Sequence, residues 1–273
     1  MIALAGIAIA IYVALVAVIY LAQDRLLYFP STESPERMRA TAPDLRAVRL
    51  TTDDGLDLLA WWRPPAVAAG WTLALFHGNA GHIGHRLEKV RPHLVAGLGV
   101  LLVEYRGYGG NAGRPSENGF HADARAALAF LDGLGVPRAR LALYGESLGT
   151  GVAVRLAAEA AGAGGPVGAV LLEAPYSSIA DVAQHHYPWL PARWLTRDRF
   201  AAIERVAVIG APLLVLHGAR DTIVPLPFGQ RLFAAAREPK ELVVLPDGGH
   251  NDLDARSLAR QVHRFLSRWT PAG

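Results

Sequence analysis

Short apolar runs alternate with longer helical stretches through most of this chain, and that rhythm sets the fold class before any single residue is considered. The runs lie at 72–76, 100–103, 141–144, 169–172, 212–216 and 242–245. They are almost wholly apolar, as are strands buried on both faces of a parallel sheet. Helical periodicity covers about 83–96, 117–134, 148–161, 228–236 and 255–269. Strands interleaved with helices predict an α/β domain, with helices on both faces of a mostly parallel sheet. Ahead of them, 46–63 reads as two strands joined at Asp53-Asp54-Gly55, a hairpin turn. No linker interrupts 46–273, so that stretch is expected to form one domain. One segment, about 176–211, breaks the rhythm with Tyr176, Tyr187, Trp189, Trp194, Phe200, Pro188 and Pro191. An aromatic insert between two strands of an open sheet should sit above the strands' C-terminal edge, where such sheets bind ligands.

The N-terminus is a different material. No charged residue occurs from Ile2 to Ala22. About 20 apolar residues in a helix cover the roughly 30 Å hydrocarbon core of a bilayer. A cleaved signal peptide has a basic start, a shorter apolar run and a small-residue cleavage site. Here no basic residue precedes Arg25, and no clear site of that kind follows the run. Residues 1–23 are therefore expected to be a transmembrane anchor and 24–45 a juxtamembrane linker, giving a single-pass membrane protein. A signal peptide and a buried core helix are the alternatives. Arg25, Arg37, Arg39, Arg46 and Arg49 all follow the run and none precedes it, which favours a cytoplasmic C-terminal domain. Tyr28 and Phe29 suit either an interfacial aromatic belt or packing on the domain.

Composition removes several functional classes. Cysteine is absent, which excludes disulfide scaffolds, thiol catalysis and cysteine-ligated metals. The net charge of +3 is small and spread along the chain, leaving no footprint for nucleic acid. Residues 107–112 fit the glycine spacing of a dinucleotide loop, but Gly113, Pro115 and Ser116 follow where a helix should open. The pairs His82/His85 and His185/His186 lack the carboxylates of a metal site. No metal or organic cofactor is expected.

The strongest chemical signal is Gly145-Glu146-Ser147-Leu148-Gly149, between a strand and a helix. G-x-S-x-G in that setting is a nucleophile elbow: the turn is so sharp that side chains at 145 and 149 would collide with its flanks. A serine alone is a poor nucleophile and needs a base and an orienting acid. Asp221 follows one later strand and His250 the next, so Ser147, Asp221 and His250 stand in the chain order of this fold. Glu173, at the end of another strand, is the rival acid; Asp247, Asp252 and Asp254 are close to His250 in sequence but badly placed to face its ring. The oxyanion hole calls for two backbone N–H groups. Leu148 supplies one, and the loop His77-Gly78-Asn79-Ala80-Gly81 the other, with Asn79 preferred and Ala80 second.

The segments HGNAGHIGHR, EYRGYGGNAGRPSE, GESLG, LEAPYSSI, HGARDTIVP and GGHND occur in this order. Together they resemble the alpha/beta-hydrolase superfamily, and in particular its membrane-anchored serine hydrolases, whose eukaryotic relatives include protein depalmitoylases. The resemblance runs from about Leu26 to the C-terminus. It places a triad on Ser147, Asp221 and His250 and an oxyanion hole on Asn79 and Leu148, and it implies ester or thioester hydrolysis through an acyl-enzyme. Glu146 departs from the basic or other residue that many relatives carry before the serine. The expected partner is a small-molecule or lipid-like acyl substrate, with an apolar acyl group favoured by the aromatic insert. Two alternatives stand beside this reading. One is an aminopeptidase or amidase on the same triad, with Glu146 and Glu173 binding a substrate amine. The other is a non-catalytic, membrane-bound binding module.

Overall fold

The computed structural model describes residues 1–31 and 33–269. It begins with α1 (Ile2–Leu27), which buries none of its residues. Its 26 residues extend about 39 Å at the usual helical rise. It is long and apolar enough to cross a bilayer. The expected anchor boundary at 23 falls inside this helix. Gln23, Asp24 and Arg25 are polar but helix-compatible, and the first two bond side chain to backbone or charge to charge with the distant insert.

The stretch 24–45 is not a slack connector. After α1, the short strand β1 (Phe29–Pro30) leads to α2 (Glu36–Arg39), and both Ala42 and Leu45 are buried. Tyr28 packs inside the domain, where its hydroxyl donates to Asp198 Oδ2 at 2.6 Å. Phe29 stays exposed.

Strands β2 (Arg46–Thr51) and β3 (Asp57–Arg63) form the expected antiparallel hairpin, with Gly55 at positive φ in the turn. There follow β4 (Thr72–Phe76), the two-residue β5 (Ala80–Gly81), α3 (Leu87–Val95), β6 (Gly99–Val103), α4 (Glu117–Gly133), β7 (Leu141–Glu146), α5 (Gly149–Gly162) and β8 (Ala169–Glu173). The insert contains α6 (Ile179–His186) and α7 (Ala192–Leu195). The chain then closes with β9 (Leu213–Gly218), α8 (Leu226–Ala235), β10 (Lys240–Leu245) and α9 (Ala255–Arg268).

The main sheet has the order β10-β9-β8-β7-β4-β6-β3-β2. Its pairs from β10 to β6 are parallel, and β6–β3 and β3–β2 are antiparallel. Successive strand residues serve opposite cores. In β8, Val170 and Leu172 join the core under α4, α5 and α8, whereas Ala169 and Leu171 join the one under α3 and α9. This two-sided burial is the reason these strands read as unbroken apolar runs. The parallel strands all run toward one edge, so the loops after β4, β7, β9 and β10 gather there.

Candidate active site

The turn after β7 is as tight as its glycines demand. Ser147 sits at φ 49°, in the left-handed region that costs a non-glycine residue energy and persists only where surroundings impose it. A Cβ on Gly145 would stand 2.6 Å from the Gly149 carbonyl, and one on Gly149 would overlap the Phe76 carbonyl. The Ser147 N–H donates to the Glu173 carbonyl at 2.8 Å, and Thr150 closes the turn from the helix side. The serine oxygen thus projects above the sheet at the start of α5, where partial positive charge favours an anion.

Ser147, His250 and Asp221 come together from three loops. His250 Nε2 lies 2.9 Å from Ser147 Oγ, and His250 Nδ1 lies 2.7 Å from Asp221 Oδ2. Asp221 is held from below: its Oδ1 accepts the N–H groups of Ile223 and Val224 at 2.9 and 2.7 Å. Burial pushes the pKa of this carboxyl up, but the His250 hydrogen bond and charge and the two backbone N–H groups outweigh it, so the net shift is downward. Asp221 is ionised at neutral pH. Behind it, burial lowers the pKa of His217, which then donates as a neutral ring to the Val224 carbonyl at 2.8 Å.

The rival acids are engaged elsewhere. Glu173 accepts from Lys89 Nζ at 2.7 and 2.8 Å and from the Tyr144 hydroxyl at 2.6 Å. Asp247 pairs with Arg220, Asp252 accepts the Gly249 N–H, and Asp254 caps α9. Glu146 is likewise paired, with Arg86 at 2.8 Å and Lys89 at 2.7 Å. Burial pushes the Glu146 carboxyl up, but the charges of Lys89 and Arg86 bring it well below its ordinary range. Both acids proposed to receive an amine therefore already hold cations. Sequence reasoning missed Lys89, the residue that ties the ends of β7 and β8 together. The only available signal was its place one helical turn after Arg86, on a helix whose sheet contacts are not written in its periodicity.

The loop after β4 is anchored on three sides. His77 is buried between Glu104 (3.0 Å) and the Gly78 carbonyl (2.7 Å). The Tyr105 and Tyr108 hydroxyls donate to the carbonyls of His77 and Asn79. The Asn79 side chain donates to the Leu27 carbonyl at 2.7 Å, and its own carbonyl accepts the Phe29 N–H at 2.9 Å. Loop and α1 exit are thus tied directly, and β1 pairs with β5 just beyond. Among the described residues, the N–H groups of Asn79 and Leu148 find no acceptor. Both border a cleft of about 420 Å³ with Ser147, His250, Tyr176 and Ile223. Ala80 borders the same cleft, but its carbonyl serves Arg86.

Comparison with known proteins agrees with this architecture. The family model described as the alpha/beta hydrolase fold matches residues 72–207. The uncharacterized protein Rv2307c of Mycobacterium tuberculosis is 44% identical over 92% of this chain and 89% of its own length. The zebrafish (Danio rerio) protein named lysophosphatidylserine lipase ABHD12 is 34% identical over 67% of this chain and 51% of its own length. Among solved structures, the Pyrococcus furiosus esterase Pf2001 aligns with a TM-score of 0.68 at 21% identity, covering 89% of this chain and 98% of that one.

Proposed function

This chain belongs to the alpha/beta hydrolase family, and from that premise we propose that it is a membrane-anchored serine hydrolase cleaving carboxylic esters or thioesters. The observation that carries the reading is the unbroken contact from Ser147 Oγ to His250 Nε2 and from His250 Nδ1 to Asp221 Oδ2. Ser147 Oγ attacks the acyl carbon while His250 Nε2 takes its proton, and Asp221 stabilises the imidazolium that forms. The carbonyl oxygen, now an oxyanion, receives the free N–H groups of Leu148 and Asn79. The tetrahedral adduct collapses, His250 returns the proton to the departing alcohol or thiol, and Ser147 is left acylated. Water, deprotonated by His250, attacks the acyl-enzyme and releases the acid, restoring Ser147.

Relatives favour an ester substrate. The zebrafish protein is named a lipase of lysophosphatidylserine, and an ester in an amphiphilic lipid suits a chain with a 26-residue apolar helix. The aminopeptidase reading is weaker because Glu146 and Glu173 are already paired with Lys89 and Arg86. The test is hydrolysis of a p-nitrophenyl ester against an aminoacyl p-nitroanilide, with wild type and Ser147→Ala. Ester turnover that disappears in Ser147→Ala, with the anilide untouched, supports the reading. Faster anilide cleavage would replace it with an amidase.

A further inference from the structure

Helix α1 is docked along the catalytic domain rather than hung from it. The Tyr12 hydroxyl donates to the Trp189 carbonyl at 2.8 Å. Gln23 bonds the Leu195 carbonyl and the Arg197 N–H, Asp24 pairs with Arg197 at 2.6 Å, and the Arg197 guanidinium lies over the Tyr20 ring. From Tyr12 to Leu27 is about 22 Å of helix. The insert therefore follows α1 for more than half its length. With α1 in a bilayer, the tip of the insert enters the leaflet beside it. The exposed rings of Tyr187, Trp189 and Trp194 fit that position, with Trp194 86% exposed.

Between helix and insert runs a second cavity of about 370 Å³, within the size range of small-ligand sites. Its walls are mainly apolar, among them Val16 and Ile19 of α1 and Leu190, Ala192 and Leu195 of the insert. Several of its polar members are engaged: Gln23 and Asp24 by the bonds above, Asp198 by Tyr28, and the Thr196 hydroxyl by the Ala192 carbonyl. It adjoins the cleft at Ser147: Leu26, Leu27, Ile179, Ala183 and Tyr187 border both.

We propose that the anchor helix is one wall of the substrate site, and that this groove takes the acyl chain of a lipid ester directly from the adjoining leaflet. The inference rests on the serine-hydrolase reading. Because the two cavities share these five residues, a lipid with its ester at Ser147 has its chain directed into the groove between α1 and the insert. Burying each further methylene of the chain is worth about 0.8 kcal/mol, or roughly fourfold in affinity. The anchor thus contributes to chain-length selectivity as well as to location.

The test is kcat/KM of the full-length protein in detergent on p-nitrophenyl esters from acetate to palmitate. It compares wild type, Val16→Trp, Val18→Trp and Ser147→Ala. Val16 lines the groove, whereas Val18 is 62% exposed and does not. The expected result is a preference of wild type for long chains. Val16→Trp should lose at least tenfold on palmitate and stay within twofold on acetate, and Val18→Trp should match wild type on both. If Val16→Trp keeps the palmitate rate, or loses acetate and palmitate by the same factor, the groove does not hold the chain and the inference is overturned. If Ser147→Ala retains ester turnover, the serine-hydrolase reading itself falls, whatever the Trp variants do.

Discussion

At the scale of single residues, the sharp strand-to-helix turn that holds Ser147 leaves no room for a Cβ at Gly145 or Gly149. Gly149→Ala must push against the Phe76 carbonyl, a backbone atom in a central strand. It should cost about 1–3 kcal/mol or more in urea unfolding. Lys89 was invisible because its partners are 57 and 84 residues away. Burial lowers its pKa, but Glu146 and Glu173 outweigh that and raise it. The Lys89 contribution to stability is therefore complete below the unfolded value near 10.4 and lost as pH rises through the raised folded value. The depressed Glu146 carboxyl contributes above its unfolded value near 4.3, and that contribution is lost as pH falls through the lowered one. Lys89→Met at pH 7 should cost about 3 kcal/mol, the low end for breaking a buried pair, because Lys89 keeps 19% exposure. Urea titrations should show that deficit at pH 7 and a smaller one as pH falls below about 4. Asp221→Asn should keep the fold by circular dichroism and lower kcat by roughly 10³–10⁴-fold, since the wrong tautomer of His250 then faces Ser147.

At the scale of elements, strands and helices were legible because burial on both sheet faces writes itself as apolar runs and amphipathic periods. The two-residue ladder between β1 and β5 was not, since it is held by backbone bonds that any side chains permit. The same holds for the course of 24–45, where a short helix and buried residues, Tyr28, Ala42 and Leu45 among them, replace the expected connector. Arg106 is a structural clamp. Its Nε and backbone N–H reach the Asp123 carboxylate at 2.8 and 2.9 Å, and its other nitrogens reach Asp54 at 2.7 and 3.0 Å. This clamp fixes the loop carrying Tyr105 and Tyr108, which in turn fixes the loop of Asn79. Arg106→Ala leaves the fully buried Asp123 carboxylate without its cation. It should cost about 3–5 kcal/mol and reduce ester turnover with it. Unfolding in urea and initial rates on one preparation test both. A stable but inactive variant would locate the effect in the loop rather than in the fold.

At the scale of the whole molecule, the apolar helix α1, the aromatic insert and the strand edge that carries Ser147 form one body. The sequence showed each of these separately; their contact required the fold, because α1 meets the insert more than 170 residues later. A protein anchored by α1 should stay with membranes through alkaline carbonate extraction, and release into the supernatant would contradict the anchor. The central claim, however, is that Ser147 is activated by His250 and Asp221, and it is tested most directly by labelling with a small fluorophosphonate. Wild type should become covalently labelled at Ser147, Ser147→Ala should not label, and His250→Ala should label far more slowly. Absence of label on folded wild type, or equal labelling of Ser147→Ala, would contradict the account.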